Sequence, residues 1–527
     1  MTASPAGERE ALALLCEGLL RFARAEIHPL QIDREGQIPS AVLSGLAEMG
    51  FFGLSIPERW GGAGFSLRGV CDAVLALARL DRSVATTVGL HLGLGTRGLV
   101  AFGSDELRAA FLPELAAGKK IAAFAATESG AGSDLAAIAT RAVDAAGGRL
   151  RVDGGKIYVT NGGLAQVFTI VAATPGMGGA RRGHSLLLLE RGDTGVAALG
   201  EERKLGLRGS STTSLHLDGV EIPRTRIIGE PGRGMEHLAH VLAWGRTAMA
   251  AGCVGAAQVA LEAASAHAAT RRQFGRTLAS FEVVREQLAD MAALAFAMEA
   301  LVHETCAAED EPFALAALST AAKVLCSEGD WEICDLAVQL HGGAGFLEES
   351  GLPLLLRDAR ITRIFEGAND VLLAAHGTWL AAAAPAQSEA EERASPATGG
   401  ARRRGALGGA RRRAALLVGP KLSGAASAAD RLHAAIAQRR DELRARFGVR
   451  LLSQQRLLHR LGRLGILSAA ADAAVLCAES EGDAQSRQLA THFVALAEAR
   501  AAPLFAEPAA LDPIDAIASV LIARHAP

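Results

Sequence analysis

Two stretches carry residues that could do chemistry. "DARITRIFEGAND" (Asp358–Asp370) sets a single carboxylate, Glu366, between Phe365 and Gly367, where irregular chain gives way to a helix. An acid near a helix N-terminus is favoured by the macrodipole, by a few tenths to about 1 kcal/mol. The same acid, followed by a glycine that adds no bulk, also reads as a general base aimed into a pocket. The second stretch, "FAATESGAGSD" (Phe124–Asp134), combines small residues with hydroxyls. It is either an ordinary Gly/Ser turn or a nest of exposed N–H groups for an anionic or carbonyl-rich ligand. Tyr158, the only tyrosine, lies in "KIYVTNGG" on a strand, where it is core or a flat contact for a ring. Arg271 of "RRQFG" reads as a solvated helix arginine.

The elements that must hold these residues change texture twice. Residues 1–123 read as helices between Gly/Pro loops, with helical spacing in "SAVLSGLAEMGFFGL" and a turn-rich loop at "IPERWGGAGF". Residues 124–234 read as a compact β domain. There "RLRVDGGKIYVTNGG" alternates at Leu150 and Val152 and puts DG and NG turn signals on either side of "KIYVT". "VFTIVAAT", "SLLLLE" and "SLHLDGVEIP" follow as short strands. Helical spacing returns over 235–384, where Phe281, Val284, Leu288, Met291, Ala295 and Met298 mark one apolar face. Residues 385–415 read as a flexible linker, with Leu407 the only large aliphatic beside two triple-Arg runs, Arg402–Arg404 and Arg411–Arg413. Residues 416–527 are helical again, amphipathic at "RLLSQQRLLHRLGRLGIL".

At 527 residues the chain exceeds what one hydrophobic core supports, so several domains are expected. Half the residues are hydrophobic, many of them Ala, and only 4% are aromatic, which favours packed helices over sheets. A net charge of −3 gives no nucleic-acid-like field, and no aromatics interleave the basic runs, so no nucleic-acid partner is expected. Seven scattered cysteines without a CxxC pair suggest neither a disulfide framework nor a metal site. No signal peptide is read from "MTASPAGEREALALLCEGLL", which carries acids early and no basic n-region. The apolar stretch "VLLAAHGTWLAAAA" is broken by His376 and Gly377, so no membrane span is read and a cytoplasmic location is the expectation. No GxGxxG follows a strand, which argues against a Rossmann architecture.

Six motifs occur in register: "ATESGAGSD", "KIYVTNGG", "KLGLRGSSTTSLHLDGVEIP", "RRQFG", "QLHGGAGF" and "LRDARITRIFEGANDV". Over roughly residues 20–380 the chain resembles the acyl-CoA dehydrogenase family of flavoproteins. Its residues beyond that resemble the very-long-chain branch, which appends a C-terminal helical domain and is homodimeric. The resemblance implies a mostly α fold of N-terminal helices, a central β barrel and a four-helix bundle, plus that C-terminal helical domain. It implies that Glu366 is the catalytic base. FAD would be gripped by Phe124, Ala126, Thr127, Gly132 and Ser133 and by Tyr158, Val159 and Thr160, with Tyr158 beside the flavin ring. Arg271, Gln273 and Phe274 would reach the FAD of the neighbouring subunit, Gln339, Gly342 and Gly343 the pyrophosphate, and Ala368 and Asp370 would complete the cofactor set. Ser133, Trp244, Arg246 and Gly367 would meet the substrate.

That family's reaction removes a weakly acidic α-proton while a hydride leaves the β-carbon for flavin N5. Such a base needs a Glu whose pKa desolvation has raised toward roughly 6–7. The developing enolate oxygen needs donors, each contributing on the order of 3–4 kcal/mol. The chain departs from the family where a Thr usually follows the base by two residues, here Ala368, and where a polar residue usually precedes "GR", here Ala243 and Trp244. These departures leave chain length and acyl carrier open. The expected activity is FAD-dependent α,β-dehydrogenation of a saturated long-chain acyl-CoA to the trans-2-enoyl thioester, with electrons passing to an electron-transfer flavoprotein. The alternatives are an acyl-CoA oxidase, a dehydrogenase of a carrier-bound or biosynthetic thioester, and a non-catalytic assembly paralogue. The basic runs read as a solvated linker or as a peripheral contact of 401–420 with an anionic inner membrane face, at about 1 kcal/mol per basic residue.

Overall fold

In the computed structural model the chain is described over residues 5–179, 183–382 and 425–506, with Ala518 and Ile522 beyond. Among these residues seven α-helices come first: α1 (Pro5–Glu26), α2 (Pro29–Glu35), α3 (Ser40–Glu48), α4 (Leu67–Ala78), α5 (Arg82–Leu90), α6 (Thr96–Phe102) and α7 (Asp105–Ala116). Side-chain caps fix where three of them start. Ser66 Oγ accepts from Gly69 N at 3.4 Å, Asp81 Oδ1 from Val84 N at 2.8 Å, and Ser104 Oγ from Leu107 N at 3.2 Å.

The strands that follow are β1 (Ala122–Ala125), β2 (Arg141–Ala145), β3 (Arg149–Thr160), β4 (Val167–Ala173), β5 (His184–Glu190), β6 (Val196–Ala198), β7 (Thr212–Pro223) and β8 (Ile227–Ile228). They form one sheet in the order β6-β7-β3-β2-β4-β5-β8, with β1 added parallel to β4. The expected barrel is not formed, because the sheet stays open. Its end strands have three and two residues and pair with β7 and β5, so no ladder joins the two edges. The turn expected at Asp153-Gly154 is also absent: β3 runs through it beside β7 with a register shift. A Cβ on Gly154 would lie 2.6 Å from Thr140 Oγ1, so this glycine serves a close approach of two segments rather than a reversal.

The helical half comprises α8 (Gly234–Thr270), a hairpin of β9 (Arg272–Gln273) and β10 (Arg276–Thr277), α9 (Glu282–Ala307), α10 (Pro312–His341), α11 (Leu352–Thr362) and α12 (Asn369–Ala382). On α9 the expected apolar face is used: Met291, Ala295 and Met298 are buried, while Val284 and Leu288 pack at its margin. Beyond residues 383–424, which include the expected linker and the 401–420 basic runs and lie outside the described residues, come α13 (Ala425–Phe447), α14 (Gln455–Glu481) and α15 (Ala484–Phe505). Their apolar faces join the cluster that the bundle and the N-terminal helices share. Helices α8 and α14 are long and apolar enough to cross a membrane, but 67% and 72% of their apolar windows are buried inside the protein. That surface is taken up by the core.

Candidate active site

Between α11 and α12 the chain makes a tight loop, closed where Asn369 N donates to Arg363 O at 3.0 Å. Glu366 sits in it with φ 56° and Gly367 with φ 104°. A left-handed Glu costs on the order of 1–3 kcal/mol and persists only where its surroundings over-determine it. Two cations do so here. Arg246 Nε donates to the Glu366 carbonyl at 2.9 Å, and the buried Lys323 Nζ donates to the Gly367 carbonyl at 2.8 Å and to Asn369 Oδ1 at 2.7 Å. Asn369 in turn donates to Ser327 Oγ at 2.9 Å and Glu328 Oε1 at 2.8 Å.

The carboxyl group itself is left free. Glu366 Oε2 is buried with no hydrogen-bond partner. Burial pushes its pKa from 4.5 up to about 7, against the pull of Arg246 and Lys323. Gly245 of α8 makes room for it, since a Cβ there would lie 3.2 Å from Oε2. Burial also lowers Lys323, to about 8, with Glu366 the foremost charge opposing the shift. The Glu366 N–H donates to nothing among the described residues.

Glu366 lines a cleft whose other wall comes from the sheet. After β1 the chain turns tightly, Glu128 N donating to Ala131 O at 2.9 Å and Ala131 N to Glu128 O at 3.1 Å. A buried ion pair ties this turn to β3: Lys156 Nζ donates to Glu128 Oε1 at 2.6 Å and to Ala126 O at 3.1 Å. Glu128 also accepts from Ala139 N at 2.7 Å and Thr140 N at 3.0 Å. Tyr158 follows on β3 at a second register shift, with φ 56° and its ring 66% exposed on the cleft. A tyrosine with core neighbours on either side would be covered; this one presents a bare flat face. The hydroxyls of Thr127, Ser133 and Thr160 line the same cleft, and among the described residues they make no side-chain hydrogen bond.

The structure therefore gathers Phe124, Ala126, Thr127, Gly132, Ser133, Tyr158, Thr160, Arg246, Glu366 and Gly367 on one cleft. Val159 points the other way, into the sheet core, as strand alternation requires. Trp244 is not on the cleft. It lies two residues from Arg246, about 200° around α8, so its ring is buried on the opposite face, 3.7 Å from the Arg97 guanidinium. Ala368 is off the cleft at the start of α12, and Asp370 is exposed, accepting from His459 Nε2 at 3.2 Å.

A second group forms at the far end of the bundle. His267 and His341 stack at 4.2 Å, which sets the β9–β10 hairpin, carrying Arg271, Gln273 and Phe274, beside Gln339, Gly342 and Gly343 at the end of α10. Phe274 (φ 52°) and Gly275 (φ 78°) make the two-residue turn, and Phe274 is 91% exposed. From Arg246 to Arg271 is about 37 Å along α8, so the two groups are remote within one chain.

Sequence reasoning missed Lys323, Asn369 and the Glu128–Lys156 pair. A signal existed for Lys323: it is the only charge in the apolar run from Phe313 to Cys326, where a lone cation needs a buried acceptor.

Three family models match consecutive segments: acyl-CoA dehydrogenase N-terminal domain over residues 10–119, middle domain over 123–220 and C-terminal domain over 232–380. The chain is 36% identical over 358 residues to the very long-chain specific acyl-CoA dehydrogenase, mitochondrial, of Mus musculus, covering 67% of this chain and 55% of that protein. It thus spans little more than half the length of that relative. It is 38% identical over 345 residues to the "probable acyl-CoA dehydrogenase FadE25" of Mycobacterium tuberculosis, covering 65% of this chain and 88% of that protein. Among solved structures it resembles an acyl-CoA dehydrogenase complexed with FAD from Bacillus anthracis, with TM-score 0.80 and 26% identity over 95% of this chain and 88% of that one.

Proposed function

The chain belongs to the acyl-CoA dehydrogenase family, and from that premise we propose that it is an FAD-dependent dehydrogenase of a saturated acyl-CoA, yielding the trans-2-enoyl thioester. The observation that carries the reading is the Glu366 carboxyl: buried, unpartnered, raised to about 7, and on the cleft that also holds the bare ring of Tyr158. The cleft residues suit a flavin. Tyr158 offers a flat face, and the unpartnered hydroxyls of Thr127, Ser133 and Thr160 offer polar contacts that nothing else in the fold uses. FAD bound there supplies a two-electron acceptor for the β-hydride.

The chain's own residues do the rest. Glu366 takes the α-proton onto Oε2, the oxygen with no partner to lose. With a pKa near working pH it is about half ionised there, and basic enough to accept that proton. Arg246 and Lys323 hold the two carbonyls of its loop, which fixes the backbone from which the carboxyl projects and leaves the Glu366 N–H free to donate to the thioester oxygen as charge develops there. Leu90, Leu94, Val74, Ala78, Ala85 and Met249 give the cleft an apolar arm that takes an alkyl chain and excludes water from the base. Electron-transfer flavoprotein is the proposed acceptor, and a homodimer the proposed assembly, because the Arg271 and Gln339 groups lie too far from this chain's own cleft to serve it.

The test is anaerobic titration of the purified protein with a panel of acyl-CoAs. Bleaching of the visible flavin band with formation of the 2-enoyl product supports the reading. Purification without flavin contradicts it, and stoichiometric peroxide in air with acyl-CoA alone makes the protein an oxidase.

A further inference from the structure

The apolar arm of the cleft runs from Glu366 between α4, α5 and α8, and it meets a charged group. Arg82, at the start of α5, lines it and is 6% exposed. Its Nη1 donates to the fully buried Asp330 at 2.5 Å, and its Nη2 lies 3.7 Å from Cys253 Sγ. Along α8 the level of the base is Gly245 and the level of the guanidinium is Cys253. Eight residues separate them, about 12 Å of helix. Beyond that level the arm is shut, since a Cβ on Gly255 would lie 2.5 Å from the Leu75 carbonyl oxygen, which brings the α4 and α8 backbones into contact.

We propose that the Arg82–Asp330 pair is the floor of the acyl arm and sets an upper limit on chain length. This rests on the dehydrogenase reading above and replaces the long-chain expectation drawn from the sequence with a shorter limit. An extended chain advances about 1.2 Å per bond, so the arm holds about ten carbons past the α-carbon. A longer chain has to displace a desolvated ion pair rather than more hydrocarbon. Up to the floor, each added methylene tightens binding about fourfold; past it, the gain stops. The residues between base and floor leave room for this: a Cβ on Gly252 meets only Val74 at 3.6 Å and Ala78 at 3.9 Å, ordinary contact distances.

The experiment is calorimetric titration of the FAD-bound Glu366→Gln variant, which binds without turning over, with straight-chain acyl-CoAs from four to eighteen carbons. Flavin reduction by the wild type is measured on the same panel. The expected result is affinity that climbs and then breaks near about twelve carbons. In Gly252→Leu the break moves to shorter chains. In Arg82→Ala/Asp330→Asn, which empties the floor without stranding a buried charge, it moves to chains longer by about two to four carbons. A monotonic climb through eighteen carbons overturns the inference, as does a break that neither variant moves. Tighter binding of an ω-carboxylated chain than of its parent also overturns it, because Arg82 would then serve the ligand rather than Asp330. If no acyl-CoA binds or reduces the flavin at any length, the dehydrogenase reading itself fails.

Discussion

At the residue scale the proposed reaction turns on a carboxylate that burial keeps protonatable near neutrality. Glu366 ionises at about 7 in the fold against 4.5 outside it. In the proposed mechanism the ionised form is the base, so flavin reduction is expected to rise with pH through about 7 and level off above it. Losing a neighbouring cation removes a pull toward ionisation. Lys323→Met is therefore expected to move that rise to higher pH and to lower the plateau rate about tenfold, measured by single-turnover reduction across pH; an unmoved profile would separate Lys323 from the base. Stability runs in the opposite direction. Because the folded state holds the Glu366 proton more tightly, this residue lowers stability as pH climbs from about 4.5 to about 7, by at most about 3 kcal/mol. Glu366→Gln is expected to melt higher than the wild type above pH 7, with the gap closing toward pH 4.5. Locally the sequence marks Glu366 only as an acid at a helix joint; the six motifs in register made it the candidate base. Lys323 was not legible, since nothing local to "STAAKVLC" says which carbonyl will lie across from it.

At the element scale, local signals served well where neighbours do not overrule them. The apolar face of α9 is such a local signal, and it holds in the fold. The Asp153-Gly154 turn failed because its glycine answers to Thr140, a residue on another segment. The barrel failed because closure depends on whether two distant edge strands are long enough to pair. Trp244 left the cleft for a helical reason, a 200° rotation that motif spacing does not encode. The packing of α14 on α12 gives a prediction at this scale. A Cβ on Gly377 or Gly462 would run into the backbone of the facing helix. Gly462→Val is expected to destabilise by about 3 kcal/mol, seen as a lower Tm. Gly18→Ala on α1, with nothing within 4 Å, is expected to raise stability by up to about 1 kcal/mol. Equal shifts for the two would mean that α14 does not seat on α12 as described.

At the scale of the whole molecule, two groups of ligand-type residues lie some 37 Å apart along one helix. One chain cannot bring both groups to a single ligand, which is the ground for the proposed homodimer. Phe274 marks the cost of that arrangement: an aromatic at φ 52°, exposed, at the tip of a two-residue turn. Phe274→Asn suits the turn better and is expected to leave Tm unchanged or raised, while the flavin carried per chain after dialysis falls. Full flavin retention with an intact dimer by light scattering would remove Phe274 from the cofactor site. The proposed chemistry converges on one event at Glu366. Anaerobic stopped-flow mixing of the Glu366→Gln holoprotein with its best acyl-CoA tests that event most directly. The account predicts a protein that stays yellow, binds the thioester and reduces its flavin at least about a thousandfold more slowly than wild type. Reduction at the wild-type rate would contradict it.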